Sequence, residues 1–225
     1  MILKNINGIR FAFLGYTKGM NNMTLPKDAA YAVDVLFEDY NTNYSKINKV
    51  ALLNSVQTAK DLKADVIVAM LHWGVEYDVE PMKIQDEIAD LLFENGVDVI
   101  LGSHSHEVGP MAKRTVTVDG KEKEVFIAYS LGNFFSSMDK GSAQTSAVLN
   151  LEFTMDAETG KVTISDVNYL PVYLADNGEN AAVRYEVLPI RTAMSNSTFA
   201  HMNETFTKAI ETLKTNTASA FDSGK

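Results

Sequence analysis

The chain has 225 residues, 46% of them hydrophobic, enough to bury one good-sized core and to predict one main domain. Its net charge of -9 excludes nucleic acid as the principal partner, because phosphate binding needs a basic surface, and favours a cation or a substrate brought in by one. It has no cysteine, which excludes disulfides and thiolate metal sites.

The first residues, Ile2-Leu3-Lys4, then Asn7-Gly8, then an apolar run from Ile9 to Leu14, predict a hairpin with an Asn-Gly turn. Its first strand has almost no room before Met1, so it reads either as a short edge strand or as the opening of a chain that begins partway through a larger fold. Residues 17–44 are polar and rich in Asn, with one helix predicted over 29–39. Between 45 and 63, Leu52, Val56, Ala59 and Leu62 recur at helical spacing. Residues 65–71 predict a buried strand. Pro81 suits a first helical turn, Ile84, Ile88, Leu91 and Leu92 form an apolar face, and Asn95-Gly96 ends that helix. Residues 97–101 predict the next strand. Helix, strand, helix, strand implies parallel strands joined by a right-handed crossover, both ending at one edge.

Beyond residue 110 the pattern becomes hairpins. Residues 115–118 and 124–129 flank Asp119-Gly120, and residues 147–155 and 162–169 flank a turn that ends at Gly160. Residues 182–190 predict one more strand. Phe199, Met202, Phe206, Ile210 and Leu213 mark a C-terminal helix with a polar, frayed tail. The expected division is a domain over 1–195 and a helix with tail over 196–225. There is no internal repeat, no run of 18 apolar residues and no basic-then-apolar leader, so the chain as given is expected to be soluble.

Three of the four histidines follow the two buried strands. His72 opens His72-Trp73-Gly74-Val75-Glu76-Tyr77, and His104 and His106 lie in Gly102-Ser103-His104-Ser105-His106. Side chains at the carboxyl edge of parallel strands converge, so three imidazoles there point to a metal or catalytic site. If strand geometry persists past Gly102, His104 and His106 point the same way. The plain alternatives are two surface histidines in a polar loop, and a hydrogen-bonded core histidine at 72 beside a packing Trp73. Glu76 reads as a ligand, an orienting group or a general base. Asn133, in Tyr129-Ser130-Leu131-Gly132-Asn133-Phe134, reads as a ligand or substrate contact, or equally as a turn residue. Asp78, Glu80 and Glu107 are nearby acids, the first two read as solvated charges, and His201 reads as structural or surface. The chain has no Asp-x-His, no Gly-Asp-x-x-Asp and no Gly-Asn-His, the carboxylate-bearing motifs a two-metal phosphoesterase site requires.

The order of the Asn7–Thr17 run, His72–Tyr77 with Pro81 and Gln85, Gly102–His106 and Tyr129–Phe134 resembles the bacterial CapA (PgsA-like) capsule synthesis family over residues 5–190. The resemblance implies the calcineurin-like metallophosphoesterase superfamily and an α/β fold with mixed sheets, the C-terminal part of a four-layer α/β/β/α sandwich. It implies a role in poly-γ-glutamate capsule biosynthesis, with the complete form a metal-dependent hydrolase. The alternative is a non-catalytic capsule assembly or polymer-binding module. By the resemblance, His72, His104 and His106 are metal ligands, and Glu76, Tyr77 and Asn133 match family positions to which it assigns no individual role; the candidate catalytic residues are His104, His106 and Glu76, and the candidate substrate contacts are Tyr77 and Asn133. The implied cofactor is a divalent Mn, Fe or Zn ion, two ions in the complete protein, or none bound in this chain. The implied partners are the capsule polymer or a phosphoester substrate and membrane synthase subunits, at the extracellular face of the bacterial membrane. Family members carry a preceding half with aspartates and an Asn-His motif, and the resemblance is to the part that follows it.

Overall fold

A two-residue turn opens the fold. Strands β1 (Ile2–Ile6) and β2 (Ile9–Thr17) pair antiparallel with Ile6 opposite Ile9. Asn7 and Gly8 between them both take positive φ, +50° and +91°, the left-handed pair that matches hairpin twist and that an Asn-Gly sequence tolerates. The computed structural model describes residues 1–21, 23–138, 140 and 142–221.

Strand β2 then accepts parallel partners. β3 (Val66–His72) lies beside it with Thr17 opposite His72, and β4 (Val99–Ser103) lies beside β3 with His72 opposite Ser103. β6 (Lys121–Ala128) runs parallel to β4, and β5 (Met111–Val118) closes the sheet as its antiparallel edge. The order is β1-β2-β3-β4-β6-β5. The register sets the ends of β2, β3 and β4 side by side at one edge.

Helices α1 (Lys49–Asp61) and α2 (Lys83–Glu94) cover one face of this sheet. Leu52, Val56 and Ala59 of α1 and Ile88, Ala89, Leu92 and Phe93 of α2 pack on Ala12, Leu14, Ile67, Leu71 and Ile127. Each fully buried large side chain contributes roughly 1.5–3 kcal/mol. Asn48 caps α1 by accepting from the Ala51 N–H, and Asn95-Gly96 ends α2 with Gly96 at φ +107°. Leu62, expected on the apolar face, is the exposed C-cap of α1. Pro81 precedes α2 rather than starting it; Met82 is its N-cap, and the Gln85 side chain accepts from the Met82 N–H.

The other face meets a second sheet of β7 (Thr145–Met155), β8 (Val162–Asp176) and β9 (Tyr185–Pro189), all antiparallel. A bulge between Glu152 and Phe153 shifts the register. Phe11, Val66, Val68, Val99 and Phe126 of the first sheet pack against Ala147, Ile164 and Val167 of the second. A short helix, α3 (Ile190–Met194), packs on the second sheet through Ile190 and Ala193, and a long one, α4 (Asn203–Phe221), through Phe206 and Ala209, while Leu213 joins the core between the sheets. The fold is mixed α/β, as expected, with one mixed sheet and one antiparallel sheet.

Two expectations fail locally. Residues 29–39 hold no α-helix. A 3-10 turn over Lys27–Ala32 is broken at Ala29, and the chain beyond is extended, Val35 bridging Thr17 and Phe37 bridging Ile47. Long-range pairing overrides local spacing: the Leu36 N–H donates to Thr17 O at 2.8 Å, and Leu36 O accepts from the Asn48 N–H at 2.8 Å. The predicted C-terminal helix divides at Asn203, its first turn being 3-10 over Ser197–Met202. Residues 222–225 of the predicted tail lie outside the described residues.

Candidate functional site

The rim is built where β3 and β4 stop. Trp73 continues the ladder for one bond, its N–H donating to Ser103 O at 3.0 Å, and then both chains turn away. Trp73 itself is buried, stacked on Tyr129 at 5.9 Å, and its indole N–H donates to Tyr129 O at 3.0 Å. Gly102 is the residue that lets this happen. A Cβ there would stand 1.9 Å from Tyr129 O and 2.5 Å from Trp73 Nε1.

The extended geometry expected for His104 and His106 is not what brings them together. β4 ends at Ser103, and His104 and His106 take φ of +103° and +63°. Tyr77, in the facing loop, is also left-handed at +63°, with its N–H donating to Ser105 O at 2.7 Å. Non-glycine residues in this region are strained by about 1–3 kcal/mol each, and such strain gathers at functional sites. Here the surrounding hydrogen bonds hold it.

The three imidazoles do meet. The rings of His72 and His104 are 4.5 Å apart between centroids, and those of His104 and His106 are 6.2 Å apart. Tyr77 lies 5.7 Å from His106. Asn133 is committed on both ends: Oδ1 meets His106 Nδ1 at 2.7 Å, and Nδ2 donates to Ala143 O at 3.1 Å. An acceptor at Nδ1 places the ring proton there and leaves Nε2 of His106 as the lone-pair atom. Asn133 thus orients a histidine, a role its turn position in the sequence left open.

Electrostatics favour neutral rings. Burial lowers the pKa of His104 to about 4, with the Lys18 ammonium and His72 adding to the effect and Glu76 opposing it. His72 is lowered by burial first, then by Lys18 and His106. Neutral imidazoles keep their lone pairs, the form in which histidine binds a metal. Glu76 is exposed at the same rim. Of the other acids, Asp78 and Glu80 are exposed, whereas Glu107 is buried, its carboxylate accepting from the Ser142 N–H and hydroxyl. Glu107 therefore anchors a loop. His201 is exposed in the 3-10 turn.

Lys18 had no signal in the sequence, since nothing local marks it. The β2–β3 register brings it in: its N–H donates to His72 O at 2.7 Å and its ammonium to Gly74 O at 2.6 Å. The imidazole donors suit a divalent ion in kind, yet among the described residues no group of three or more His, Asp or Glu is arranged to hold one. A cavity of about 330 Å3, lined by Phe11, Phe13, Leu101 and Phe153, lies between the sheets, and a smaller one of about 150 Å3 opens beside Lys18.

Fold and rim together define an α/β protein with a histidine site at the carboxyl edge of its parallel strands. The family model described as "Bacterial capsule synthesis protein PGA_cap" matches residues 1–138, and the chain belongs to that family. It is 32% identical over 148 residues to "Capsule biosynthesis protein CapA" of Bacillus anthracis, covering 64% of this chain and 31% of the relative. It is 30% identical over 105 residues to "PGA biosynthesis protein CapA" of Bacillus subtilis (strain 168), covering 47% of this chain and 25% of the relative. The matches thus span about a third and a quarter of those relatives. Among solved structures, the chain is similar to sulfate thiohydrolase SoxB of Thermus thermophilus in complex with glycerol, with TM-score 0.39, 14% identity, and coverage of 95% of this chain and 28% of that one. It is similar to the calcineurin-like phosphoesterase YfkN of Bacillus subtilis with TM-score 0.40, 14% identity, and coverage of 95% and 58%.

Proposed function

We propose that this chain supplies the imidazole side of a metal-dependent hydrolytic site, of phosphoesterase type, that serves poly-γ-glutamate capsule biosynthesis. The observation that carries the reading is the meeting of His72, His104 and His106 at one rim with His106 fixed in orientation by Asn133. These three would hold Mn, Fe or Zn, with carboxylate ligands supplied by residues outside this chain. A bound divalent ion of this kind polarises a substrate oxygen and lowers the pKa of its water to about 7. The chain's own residues do the rest. Asn133 keeps the His106 proton on Nδ1, Glu76 stands at the rim as proton acceptor, and Tyr77 walls the substrate side of His106. The substrate is a phosphoester or an amide of the capsule polymer. The working place is the extracellular face of the membrane; among the described residues no helix is long and apolar enough to cross one.

A second reading, a non-catalytic module that binds the polymer or a membrane synthase subunit, is favoured by the lack of a closed ligand cage among the described residues. Manganese and zinc titration of the chain separates the two. Under the hydrolytic reading metal binds tightly once the carboxylates are supplied, His72→Ala, His104→Ala and His106→Ala abolish that binding, and Asn133→Ala weakens it about 10–100-fold. A longer form that carries the carboxylates then turns over an aryl phosphate. Absence of both metal binding and turnover in either form overturns the hydrolytic reading and favours the module.

A further inference from the structure

We propose that Lys18 is an anion-binding residue of this rim, receiving a phosphoryl or carboxylate oxygen of the substrate beside His72 and His104. The assignment deepens the hydrolytic reading and rests on it for the identity of the substrate.

Its position is fixed from two sides. Lys18 directly follows Thr17, whose O accepts from the Leu36 N–H and whose N–H donates to Asp34 O. Its own N–H is bound to His72 O. The side chain is thereby delivered to the place where β2 and β3 end, and it is half-buried there.

Its charge is unanswered. An ammonium carries three donors. One goes to Gly74 O at 2.6 Å, and the Tyr44 ring lies 5.3 Å from Nζ. Among the described residues no carboxylate stands within ion-pair distance of it, although the Glu76 charge is near enough to be felt. Two other half-buried cations behave differently. Lys123 meets Asp98 at 2.8 Å, and Arg114 meets Asp90 at 3.1 Å. Desolvating a cation is costly unless an anion or a set of acceptors compensates it. In a chain of net charge -9, carboxylates are plentiful, yet among the described residues none forms an ion pair here. An oxyanion arriving at the rim completes the set. Lys, a compact point charge with rotatable donors, suits such an oxygen.

There is room for what carries the anion. The cavity of about 150 Å3 beside Lys18 is walled by Tyr44, Trp73, Met82 and Ile84. At about 30 Å3 per water, that is the volume of roughly five waters, or of a short aliphatic chain. The ligand class is therefore an oxyanion on a small carbon skeleton, either a phosphoester or a carboxylate of the polymer.

The test uses the whole chain, without metal, titrated with inorganic phosphate and separately with glutarate while the His72 and His104 ring protons are followed by NMR. The native chain and Lys18→Arg should show saturable shifts at both rings. Lys18→Met and Lys18→Gln should bind about tenfold more weakly, the loss expected for one charge-assisted hydrogen bond. Circular dichroism and thermal midpoints verify that each variant is folded. Tighter phosphate marks a phosphoester as the source, and tighter glutarate marks a polymer carboxylate. The proposal is overturned if Lys18→Met binds both anions as tightly as the native chain, if the native chain binds neither, or if Lys140→Gln causes an equal loss. Lys140 lies over Tyr77, 4.1 Å from its centroid, on the His106 side of the rim. Manganese titration of the same samples separates the two ideas. Metal binding with anion affinity indifferent to Lys18 overturns this assignment alone. Lys18-dependent anion binding without metal affinity in this chain or the longer form overturns the hydrolytic reading alone.

Discussion

Two polar clusters lie on either side of Tyr129, and they differ in one respect. On the helical side, the Tyr129 hydroxyl donates to Asp86, and Arg114 reaches the same hydroxyl at 2.5 Å, Asp86 at 3.5 Å and Asp90 at 3.1 Å. Every charge there has an opposite charge beside it. On the rim, Lys18, His72 and His104 stand together with no carboxylate of the described residues in ion-pair contact, and His104 and Tyr77 hold strained backbones. A cluster that ties α2 to β5 and β6 satisfies itself, and a cluster meant for a ligand keeps capacity in reserve. Tyr129 joins the two, because its carbonyl and ring also seat Trp73 beneath the rim. The closed cluster is thus the base on which the open one is positioned.

Gly102→Ala should break that arrangement most severely. The added Cβ would collide with Tyr129 O, a backbone atom held in place by the strand, as well as with the Trp73 indole. Overpacking of this kind costs about 3 kcal/mol, and urea unfolding would show it as a lowered midpoint. Gly15→Ala is the matched control, since a Cβ at that strand position meets nothing within 4 Å. Its effect should stay within about 0.5 kcal/mol. Equal stability of the two variants would mean that Trp73 and Tyr129 are not a rigid base.

The strands beneath the rim were legible because buried β-branched runs such as Val66–His72 admit few other readings. So was the placing of His72 beside the end of β4, where His104 and His106 follow, which the parallel register supplies. What was not legible depends on contacts distant in sequence. The left-handed turns at 104 and 106 are held by a Tyr77–Ser105 bond, and no local composition announces them. Residues 29–39 look helical by spacing but are claimed by Thr17 and Asn48. Lys18 becomes a site residue only once β2 meets β3, and Asn133, which the sequence offered as a ligand, substrate contact or turn residue, takes up its contact with His106 only in the fold. The family, by contrast, was legible from motif order, and the matching family model covers all four motifs, Tyr129–Phe134 included.

A gentler change separates the clusters. Tyr129→Phe removes the hydroxyl shared by Asp86 and Arg114 and keeps the ring and the carbonyl. Losing a hydrogen bond to a charged partner in this half-buried place should cost about 1–2 kcal/mol. Trp73 is the sole tryptophan in the sequence, so its fluorescence reads the rim directly. It should remain native-like in the folded variant. A shifted emission would show that the closed cluster does more than stabilise, and that it sets the pose of Trp73.

The smallest effect separates the clusters by pH. His104 titrates at about 4 when folded against 6.5 ordinarily, because burial and Lys18 disfavour its cation. Between those values the unfolded chain binds the extra proton, so stability is fully present above pH 6.5 and falls as pH drops towards 4. Tyr129 is displaced the other way, its phenol raised above 10 by burial and by the Asp86 hydrogen bond. There the folded chain keeps a proton that the unfolded chain releases, so stability is lost as pH rises past 10. The open cluster should therefore fail in acid and the closed one in alkali. Carboxylates also titrate near 4, so the measurement is a difference: unfolding midpoints of the native chain minus those of His104→Asn and of Tyr129→Phe, across pH. His104→Asn should flatten only the acid limb and Tyr129→Phe only the alkaline one. Solvent screening at the half-exposed rim keeps the acid effect modest. If either substitution flattens both limbs, the two clusters titrate as one unit and the division drawn at Tyr129 is wrong.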